Sequence, residues 1–488
     1  TSIVFGKSFE GFGEEAFRWM NNVTEVTFTN PVPAEIRDSD HNPFMSMDKL
    51  ETVYVPKEAY GTYSTAYKFF LPSTARFRSI GSTGDFQIED DILVAYFGEG
   101  GEVVIPEGVT AIGTSAFQNC TTLTKVTMPD SVVSIGAYAF AGCSSLEEVV
   151  LSENLIEIGD SVFEECRNLT GMEFPSKLEK IGDRAFYYCE KLKKLVFPEK
   201  LKTIGGSAFY HCTGLEGNLV IPAGVTYIGG FAFAYCSQLT GDLILPDGIK
   251  SIESYTFVSC NGLKGRLELP ENLEKISSNA FSGCGFSGEL IIPDKVKSIG
   301  TEAFGNCSSL SEVVLSAEVT DIPVGLFDGC TNLQKVTLSD SIENIGNGAF
   351  SHCSSLQSIN IPDNVKTIGD NVFGNCSSLQ SINIPGSVKS IGAEAFDGCV
   401  ALETATISDG VESLGDMAFY YCEELKEIVL PDSIKNIGEK IFGQCHKLRK
   451  VTLSKNISGI TEGMFMGCHH LEEVTIPEGI TSIGKDSF

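Results

Sequence analysis

Sixteen cysteines carry most of the chemical potential of this sequence, and they recur at a step of 23 or 24 residues. A cysteine can form a disulfide, bind a metal or act as a nucleophile. A phenylalanine precedes each one by three positions, as Phe117 precedes Cys120. Such regular spacing of two residue types indicates a structural repeat. The cysteines are Cys120, Cys143, Cys166, Cys189, Cys212, Cys236, Cys260, Cys284, Cys307, Cys330, Cys353, Cys376, Cys399, Cys422, Cys445 and Cys468.

The repeat favours free thiols over disulfides. In a stack of repeats, neighbouring cysteines would lie about 5 Å apart, which is within disulfide range. Their side chains would nevertheless point in the same direction, which is poor disulfide geometry. Met20 and Met47 stand at the cysteine position of two degenerate N-terminal repeats, and methionine can fill a core but cannot form a disulfide. We therefore predict a column of buried, free thiols.

Histidines next to two of the cysteines are the nearest approach to a transition-metal site. The segments at 445–447 and 468–470 could bring Cys445, His446, Cys468 and His469 together in adjacent repeats. Because the cysteines are assigned to the core, we predict no metal there. The six histidines are otherwise scattered, and the sequence has no G-x-S-x-G, H-E-x-x-H or phosphate-loop pattern. An enzyme is therefore disfavoured.

One acidic segment, at 37–42, has the spacing of a calcium loop. Asp38, Asp40 and Asn42 stand at alternate positions, as calcium ligands do. Pro43, however, stands where such a loop needs glycine, and no glutamate occupies the twelfth position. The segment is predicted to be a solvated loop without a bound ion.

The elements that carry the cysteines follow a unit that reads L-x-x-V-x-I-P-x-x-V-x-x-I-G-x-x-A-F-x-x-C-x-x. Alternation predicts a half-buried strand, with Val126 and Met128 inward and Thr127 outward. A second short extended stretch ends at Gly136, which is predicted to adopt a positive φ. The segment at 137–143 is predicted to form a single helical or 3₁₀ turn that places Phe140 and the cysteine in the core. One unit cannot cover its own apolar face, so the units must stack.

These residues resemble the BspA-like leucine-rich repeats, which have short repeats of about 23 residues. The resemblance covers 102–488 without a break and 1–56 in degenerate form. It implies a right-handed leucine-rich-repeat solenoid of stacked parallel strands with short turns or 3₁₀ segments and few helices. It also implies adhesion, because known relatives are bacterial secreted or surface proteins that bind host proteins or other cells.

Two domains are predicted along the chain. Residues 1–85 would form an N-terminal module of two degenerate repeats, a closing helix at 57–70 and a polar linker at 71–85. Residues 86–488 would form a capping hairpin at 86–105 followed by the long array. Four repeats between 215 and 293 have one extra residue in a segment that contains glycine, just before the strand. This addition predicts either a bulge or a longer strand.

Composition limits the partners. The chain has 488 residues, 42% of them hydrophobic, and a formal net charge of −29. Without an evident cluster of Lys and Arg, nucleic acid and anionic membranes are disfavoured. No apolar run reaches the roughly 18 residues of a membrane span. We expect an extracellular or cell-surface protein whose signal peptide and anchor lie outside this chain, and which continues beyond Phe488. No cofactor is expected.

Two sets of side chains are candidates for binding. The residue between the two inward positions of each strand faces outward, and in the middle of the array this column is apolar. Its side chains would form a contiguous exposed patch, which favours a contact face for a partner or a second copy. It equally suits the strand propensity of Val and Ile. Tyrosines just before the cysteines would gather on one edge, either packed on neighbouring turns or forming a contact patch. The candidates are Val196, Val220, Ile244, Ile291, Val314, Tyr187, Tyr188, Tyr210 and Tyr235.

Two functions remain open on the sequence. The first is adhesion or binding of a host matrix protein, another cell-surface protein or a surface glycan. The second is a structural spacer that presents other domains at the cell surface. Repeat scaffolds accept many partners, so the fold alone does not choose between them.

Overall fold

The computed structural model describes residues 2–12, 16–17, 20–36, 42–44, 47–67, 70–72, 75–80 and 84–488. The chain divides into two compact units, Thr1–Glu190 and Lys191–Phe488. Each unit is a solenoid in which corresponding strands of successive turns pair in parallel, so the predicted fold class is confirmed. Within the described ranges, no helix has the length and apolarity needed to cross a membrane.

Each turn of the solenoid contributes two extended segments. The front strand carries the V-x-I pattern, and the back strand is the two-residue segment that ends at the I-G pair. Val313 pairs with Val336 in the front strands, and Ile322 pairs with Ile345 in the back strands. Because both pairs join residues 23 positions apart, each turn places the same column of the repeat above its predecessor.

The described residues of the first unit form seven front strands, seven strands of the back series, and one hairpin strand that pairs with that series. The front strands are Ser2–Phe5, Glu25–Phe28, Thr52–Val55, Arg76–Ser79, Gly101–Val104, Leu123–Thr127 and Glu148–Val150. The back series is Gly11–Phe12, Glu35–Ile36, Ile92–Tyr96, Ala111–Ile112, Ser134–Ile135, Glu157–Ile158 and Lys180–Ile181. Phe86–Glu89 pairs antiparallel with Ile92–Tyr96, so the predicted capping hairpin is present and ends at Tyr96.

The second unit has the same two series. Its front strands are Gly217–Asn218, Leu239–Thr240, Leu243–Ile244, Leu267–Glu268, Gly288–Ile291, Leu310–Val314, Lys335–Thr337, Ser381–Ile384, Thr404–Ile407, Glu427–Val429, Lys450–Thr452 and Glu473–Thr475. Its back strands are Thr203–Ile204, Tyr227–Ile228, Ser251–Ile252, Lys275–Ile276, Ser298–Ile299, Asp321–Ile322, Asn344–Ile345, Thr367–Ile368, Ser390–Ile391, Ser413–Leu414, Asn436–Ile437, Gly459–Ile460 and Ser482–Ile483.

The phenylalanines that precede the cysteines stack along the axis of each unit. In the second unit, the ring of Phe257 lies 5.5 Å from that of Phe233 and 5.6 Å from that of Phe281, with interplanar angles of 3° and 1°. In the first unit, Phe140 and Phe163 stack at 5.4 Å. Because every ring covers the next, the stack buries apolar surface that a single turn would leave exposed.

Two helical segments follow the second degenerate repeat, as predicted. A 3₁₀ turn spans Lys57–Ala59, and an α-helix spans Tyr60–Ala66. The Tyr67 hydroxyl, just after the helix, donates a hydrogen bond of 2.6 Å to the carbonyl of Ala34, which fixes the helix on this end of the first unit. The segment predicted as a linker contains the front strand Arg76–Ser79, which pairs with Thr52–Val55. The predicted boundary at residues 85 and 86 stays a prediction.

The glycine that recurs in the I-G pair of the repeats has a different role from the one predicted. Gly136 does not adopt a positive φ. A Cβ atom at Gly136 would instead lie 2.6 Å from the backbone nitrogen of Thr114, and one at Gly300 would lie 2.3 Å from that of Ser278. Real Cβ contacts are not this short, so glycine is required because the preceding turn passes against it.

The segment between the back strand and the cysteine is not the helical turn that was predicted. It is a succession of tight turns in which the amide of Ala141 donates to the carbonyl of Tyr138, and that of Cys143 donates to the carbonyl of Phe140. Tyr138 and Gly142 have φ of 58° and 72°. Two left-handed residues in each turn prevent a continuous helix and bring the chain sharply round toward the next front strand.

The structure also decides the burial of the two methionines in the degenerate repeats and the form of the front strands between 215 and 293. Met47 is buried as predicted, but Met20 is 42% exposed and does not fill a core position. In three of the four repeats between 215 and 293 the added glycine is left-handed: Gly217, Gly241 and Gly288 have φ of 81°, 82° and 83°. At Gly241 the front strand is interrupted, whereas at Gly288 it continues through a bulge as Gly288–Ile291.

Candidate interaction surfaces

The front strands of the second unit present a row of apolar side chains to solvent. Alternation buries Leu243 and Leu245 and leaves Ile244 between them 56% exposed. Val196, Val220 and Ile291 occupy the same position in other turns and are 67%, 70% and 57% exposed. These predicted outward positions are confirmed.

The row is not continuous, contrary to the sequence expectation. Ile244 pairs with Glu268, so an exposed carboxylate interrupts the row before Ile291. Val314 pairs with Ile291 but is only partly exposed. The apolar surface therefore consists of one group formed by Val196, Val220 and Ile244 and a smaller group formed by Ile291 and Val314. Exposed residues of the same column also occur elsewhere, at Val104 in the first unit and Val429 in the second.

An open groove of about 790 Å³ lies beside the interruption in the row. Its walls carry both signs of charge together with apolar surface, and Ile291 is part of the wall. Lys295 is held by a 2.6 Å hydrogen bond from its ammonium to the side-chain oxygen of Asn272. The lining residues that can contact a ligand through charge are Arg266, Glu268, Glu271, Glu289, Asp294 and Lys295.

Five exposed lysines crowd the first turn of the second unit, although the chain as a whole is strongly acidic. Several other lysines of this unit pair with carboxylates of the adjacent turn, as Lys426 does with Glu403 at 2.5 Å. Over the described residues, four of the five form no ion pair or hydrogen bond through their side chains, Lys202 being the exception. The sequence analysis did not predict this cluster, although five lysines within residues 191–202 would have indicated it. The five are Lys191, Lys193, Lys194, Lys200 and Lys202.

The predicted tyrosines form two pairs, one in each unit. In the first unit, Tyr187 and Tyr188 lie 4.7 Å apart at 74°, and the guanidinium carbon of Arg184 lies 3.9 Å from the centre of the Tyr187 ring. In the second unit, Tyr210 and Tyr235 lie 5.5 Å apart at 75°. Tyr235 is 40% exposed, and the other three are partly exposed.

Three aromatic residues near the second pair were missed from the sequence. Phe231 and Tyr255 stack at 4.6 Å with an interplanar angle of 9°, and His211 lies 6.0 Å from Tyr235. They were missed because Phe231 and Tyr255 lie four residues before the position just ahead of the cysteine, where tyrosine was sought. Each turn carries one residue five positions before the cysteine and another one position before it, as Phe231 and Tyr235 are before Cys236. A search for aromatic residues at both positions would have found Phe231 and Tyr255.

The cysteines are free, as predicted, and all but Cys120 and Cys468 are fully buried. Each thiol from Cys143 onward for which a bond is described donates to the carbonyl of the phenylalanine in the preceding turn; Cys260 does so to Phe233 at 3.1 Å. Burial raises the pKa of the Cys260 and Cys307 thiols to about 12. Such thiols are protonated at neutral pH and are poor nucleophiles and poor metal ligands.

The candidate metal residues do not assemble a site. The imidazoles of His446 and His469 stack at 5.7 Å, but the thiols of Cys445 and Cys468 point inward and donate to backbone carbonyls. Across the described parts of the chain, no group of three His, Cys, Asp or Glu side chains could hold a metal ion. The segment considered as a calcium loop lies outside the described residues at 37–41.

The chain matches known proteins by sequence and by structure. The profile of the BspA type leucine rich repeat region matches in six copies, over residues 1–72, 99–216, 207–323, 274–403 and 389–488. A leucine-rich repeat protein from Bacteroides ovatus has 28% identity and a TM-score of 0.55, over 74% of this chain and 99% of that one. A leucine rich cell surface protein from Faecalibacterium prausnitzii has 25% identity and a TM-score of 0.40, over 83% and 94%. None of the curated proteins matches.

Proposed function

Because the chain belongs to the BspA-type leucine-rich repeat family, we propose that it is a non-enzymatic protein of the cell surface or extracellular space that binds a partner protein. The partner docks on the front strands of the second unit. The observation that carries this proposal is the exposure of Val196, Val220 and Ile244 in successive turns, between 56% and 70% for each. Large aliphatic side chains exposed together favour association, because a partner removes them from water.

The partner's chemistry follows from what surrounds the apolar group. Lys193 and Lys194 lie in the same front segment as Val196, and their ammonium groups have no carboxylate partner among the described residues. A partner that presents acidic side chains beside apolar ones would satisfy both features. Charge pairs at the rim of an interface mainly accelerate and orient association, whereas the apolar group supplies affinity. A protein of the extracellular matrix or of another cell's surface fits this description.

The test replaces two exposed side chains of the apolar group by lysine. The Val220→Lys and Ile244→Lys double variant should lose capture of purified extracellular-matrix proteins by at least tenfold, which corresponds to about 1.4 kcal/mol. Its thermal melting curve should stay close to that of the parent, since both side chains already face water. Val429→Lys, an exposed residue of the same column in a distant turn, is the matched control and should bind as the parent does.

Two other outcomes would redirect the proposal. If the parent chain captures no matrix or surface protein, the array is better explained as a spacer that presents other domains. If the parent is a dimer in size-exclusion chromatography and the double variant is a monomer, the occupant of the apolar group is a second copy. Equal binding by parent and double variant would show that this face is ordinary sheet surface.

A further inference from the structure

Five aromatic side chains on the turns of the second unit form one cluster at the surface. The ring of Tyr210 lies within 6.2 Å of that of Phe231 and within 5.5 Å of that of Tyr235. The rings of Phe231 and Tyr255 then stack at 4.6 Å. We call this cluster the aromatic edge; its members are Tyr210, His211, Phe231, Tyr235 and Tyr255.

Four of these residues have a left-handed backbone conformation. His211, Phe231, Tyr235 and Tyr255 have φ of 57°, 58°, 63° and 60°. This left-handed region costs an ordinary residue about 1 kcal/mol or more. Other turns place residues of several kinds at the same two positions. Serine and asparagine occur there, as at Ser115, Asn279 and Asn119, and so do large residues such as Tyr138, Met417 and Tyr421.

The aromatic edge is not needed to fill the core. Phe233 and Phe257 are fully buried and supply the stacked ring of their turns, whereas Phe231 and Tyr235 are 37% and 40% exposed. The solenoid therefore carries several large rings side by side at its surface, at positions that serine or asparagine occupies in some other turns. Aromatic rings grouped and partly exposed at a surface favour a binding role.

The turns that carry the aromatic edge are almost free of charge. The segments 205–214, 229–238 and 253–262 contain one charged residue, Glu253, in a chain that is 20% charged. The carboxylate of Glu253 accepts a 2.8 Å hydrogen bond from the hydroxyl of Ser251. Around the rings lie serine, threonine, asparagine, glutamine and glycine, which offer neutral donors and acceptors. Tyrosine with small neutral residues is a composition typical of binding surfaces.

We propose that the aromatic edge binds an uncharged glycan. Sugar rings present apolar C–H groups on their faces and hydroxyl groups around their rims, and they carry no charge. Aromatic rings match the C–H groups, and neutral hydroxyl and amide side chains match the hydroxyls. An acidic glycan would need Lys or Arg, which these three segments lack. This site is separate from the front strands and does not depend on the protein-binding function proposed for them.

The test removes the rings and relieves the backbone strain at the same time. A Phe231→Ser and Tyr255→Asn double variant introduces residues that other turns use at the same position. Affinity electrophoresis in gels that contain a neutral glucan, mannan, galactan or xylan should show retardation of the parent by at least one of them. The double variant should be retarded at least tenfold less, while its melting temperature equals or exceeds that of the parent.

A second variant and a control keep the result specific. Tyr235→Asn, at the other left-handed position, should weaken retardation in the same gels without lowering the melting temperature. Tyr421→Asn is the matched control: Tyr421 is 42% exposed with φ of 53°, but Glu423 and Glu424 follow it closely. This control should be retarded like the parent.

The proposal is overturned if none of the neutral polysaccharides retards the parent, or if the double variant is retarded as strongly as the parent. Retardation only by a polysaccharide that carries carboxylate or sulfate groups would also overturn it. Because these assays contain no protein partner, their failure would leave the matrix-protein capture of the front strands as a separate result.

Discussion

At the scale of single residues, the buried thiols connect the stability of the fold to pH. The Sγ atom of Cys260 is fully buried and donates to a backbone carbonyl, and burial raises its pKa from 9.0 to about 12. The same cause raises the pKa of Cys307 and Cys376 to about 12. The unfolded chain ionises at lower pH than the folded one, so these groups favour unfolding only in alkali.

We predict a steep loss of stability between pH 9 and pH 12. Below pH 9 the thiols are protonated in both the folded and the unfolded state, so their contribution to the free energy of unfolding is fully present. As pH rises, the unfolded state loses protons first, and each thiol removes about 1.4 kcal/mol of stability per pH unit until the folded pKa is reached. In urea melts at pH 9 to 11, Cys260→Ala should flatten the slope by about that amount relative to the parent. An unchanged slope would show that this thiol does not titrate differently on unfolding.

A second prediction at this scale concerns the glycine of the I-G pair. Gly300→Ala should destabilise the second unit by about 2–3 kcal/mol, because the new Cβ would meet the backbone of the preceding turn. Gly305→Ala, five residues later in the same turn, is the control, since its Cβ would lie 3.5 Å from its nearest neighbours. It should cost less than about 1 kcal/mol. Similar urea midpoints for both variants would contradict the close approach.

The sequence predicts which side chains of the front strands point inward, but it does not predict the backbone dihedral angles of the turns. Alternation alone placed Val126 and Met128 inside, and both are buried. The φ of Gly136 was predicted incorrectly because the constraint on it comes from Thr114 in another turn, which no local pattern reveals. The exposure of Met20 likewise depends on how completely neighbouring turns cover it.

At the scale of the element, the column of phenylalanines is the main cohesive feature. Phe257→Ala should destabilise the second unit by about 3–5 kcal/mol, because it opens a cavity between two stacked rings. Partial unfolding should spread to the adjacent turns, since each turn is stable only against its neighbours. Hydrogen exchange with urea melts would measure both effects.

The control for this prediction is Phe231→Ser, a change of the same residue type at a partly exposed position of the same unit. It should leave the urea midpoint unchanged or raise it. A loss of less than about 1 kcal/mol in Phe257→Ala would show that the ring at this position is not part of the core.

The same elements show where prediction from the sequence ended. Period and alternation predicted the strands, whereas the hairpin and the helix of the first unit were expected from the family resemblance. The front strands at Gly217, Gly241 and Gly288 were left open between two forms, because an added residue can either extend or interrupt a ladder and only the pairing decides. The five-residue apolar row was expected to be unbroken, although Glu268 stood in the same column of the sequence and interrupts it.

At the scale of the whole molecule, the parallel register predicts that a turn can be removed as a unit. Residues 354–362 and 377–385 have the same sequence, SSLQSINIP, and Ser358 bridges to Ser381 one turn away. Deletion of residues 354–376 should therefore give a folded protein with the same circular dichroism per residue. Each remaining turn would still contact a neighbour of nearly identical surface.

The control deletion removes residues 354–365, about half a turn. It would set front strands against back strands and turn the core column outward, so we expect a large loss of ordered structure and of cooperative unfolding. If both deletions unfold alike, or neither does, the turn is not the unit of stability. The partner of the surface cannot be read from this regularity, since the residues that repeat most faithfully are those of the core.

The 23-residue period also affects how the gene can change by recombination. Two adjacent stretches of 23 codons, for residues 354–376 and 377–399, encode peptides that agree at 15 of 23 positions. Unequal recombination between them would add or remove a complete turn without shifting the reading frame. Lineages could then vary the length of the array, and thus the length of each exposed column, while every intermediate remained a folded protein.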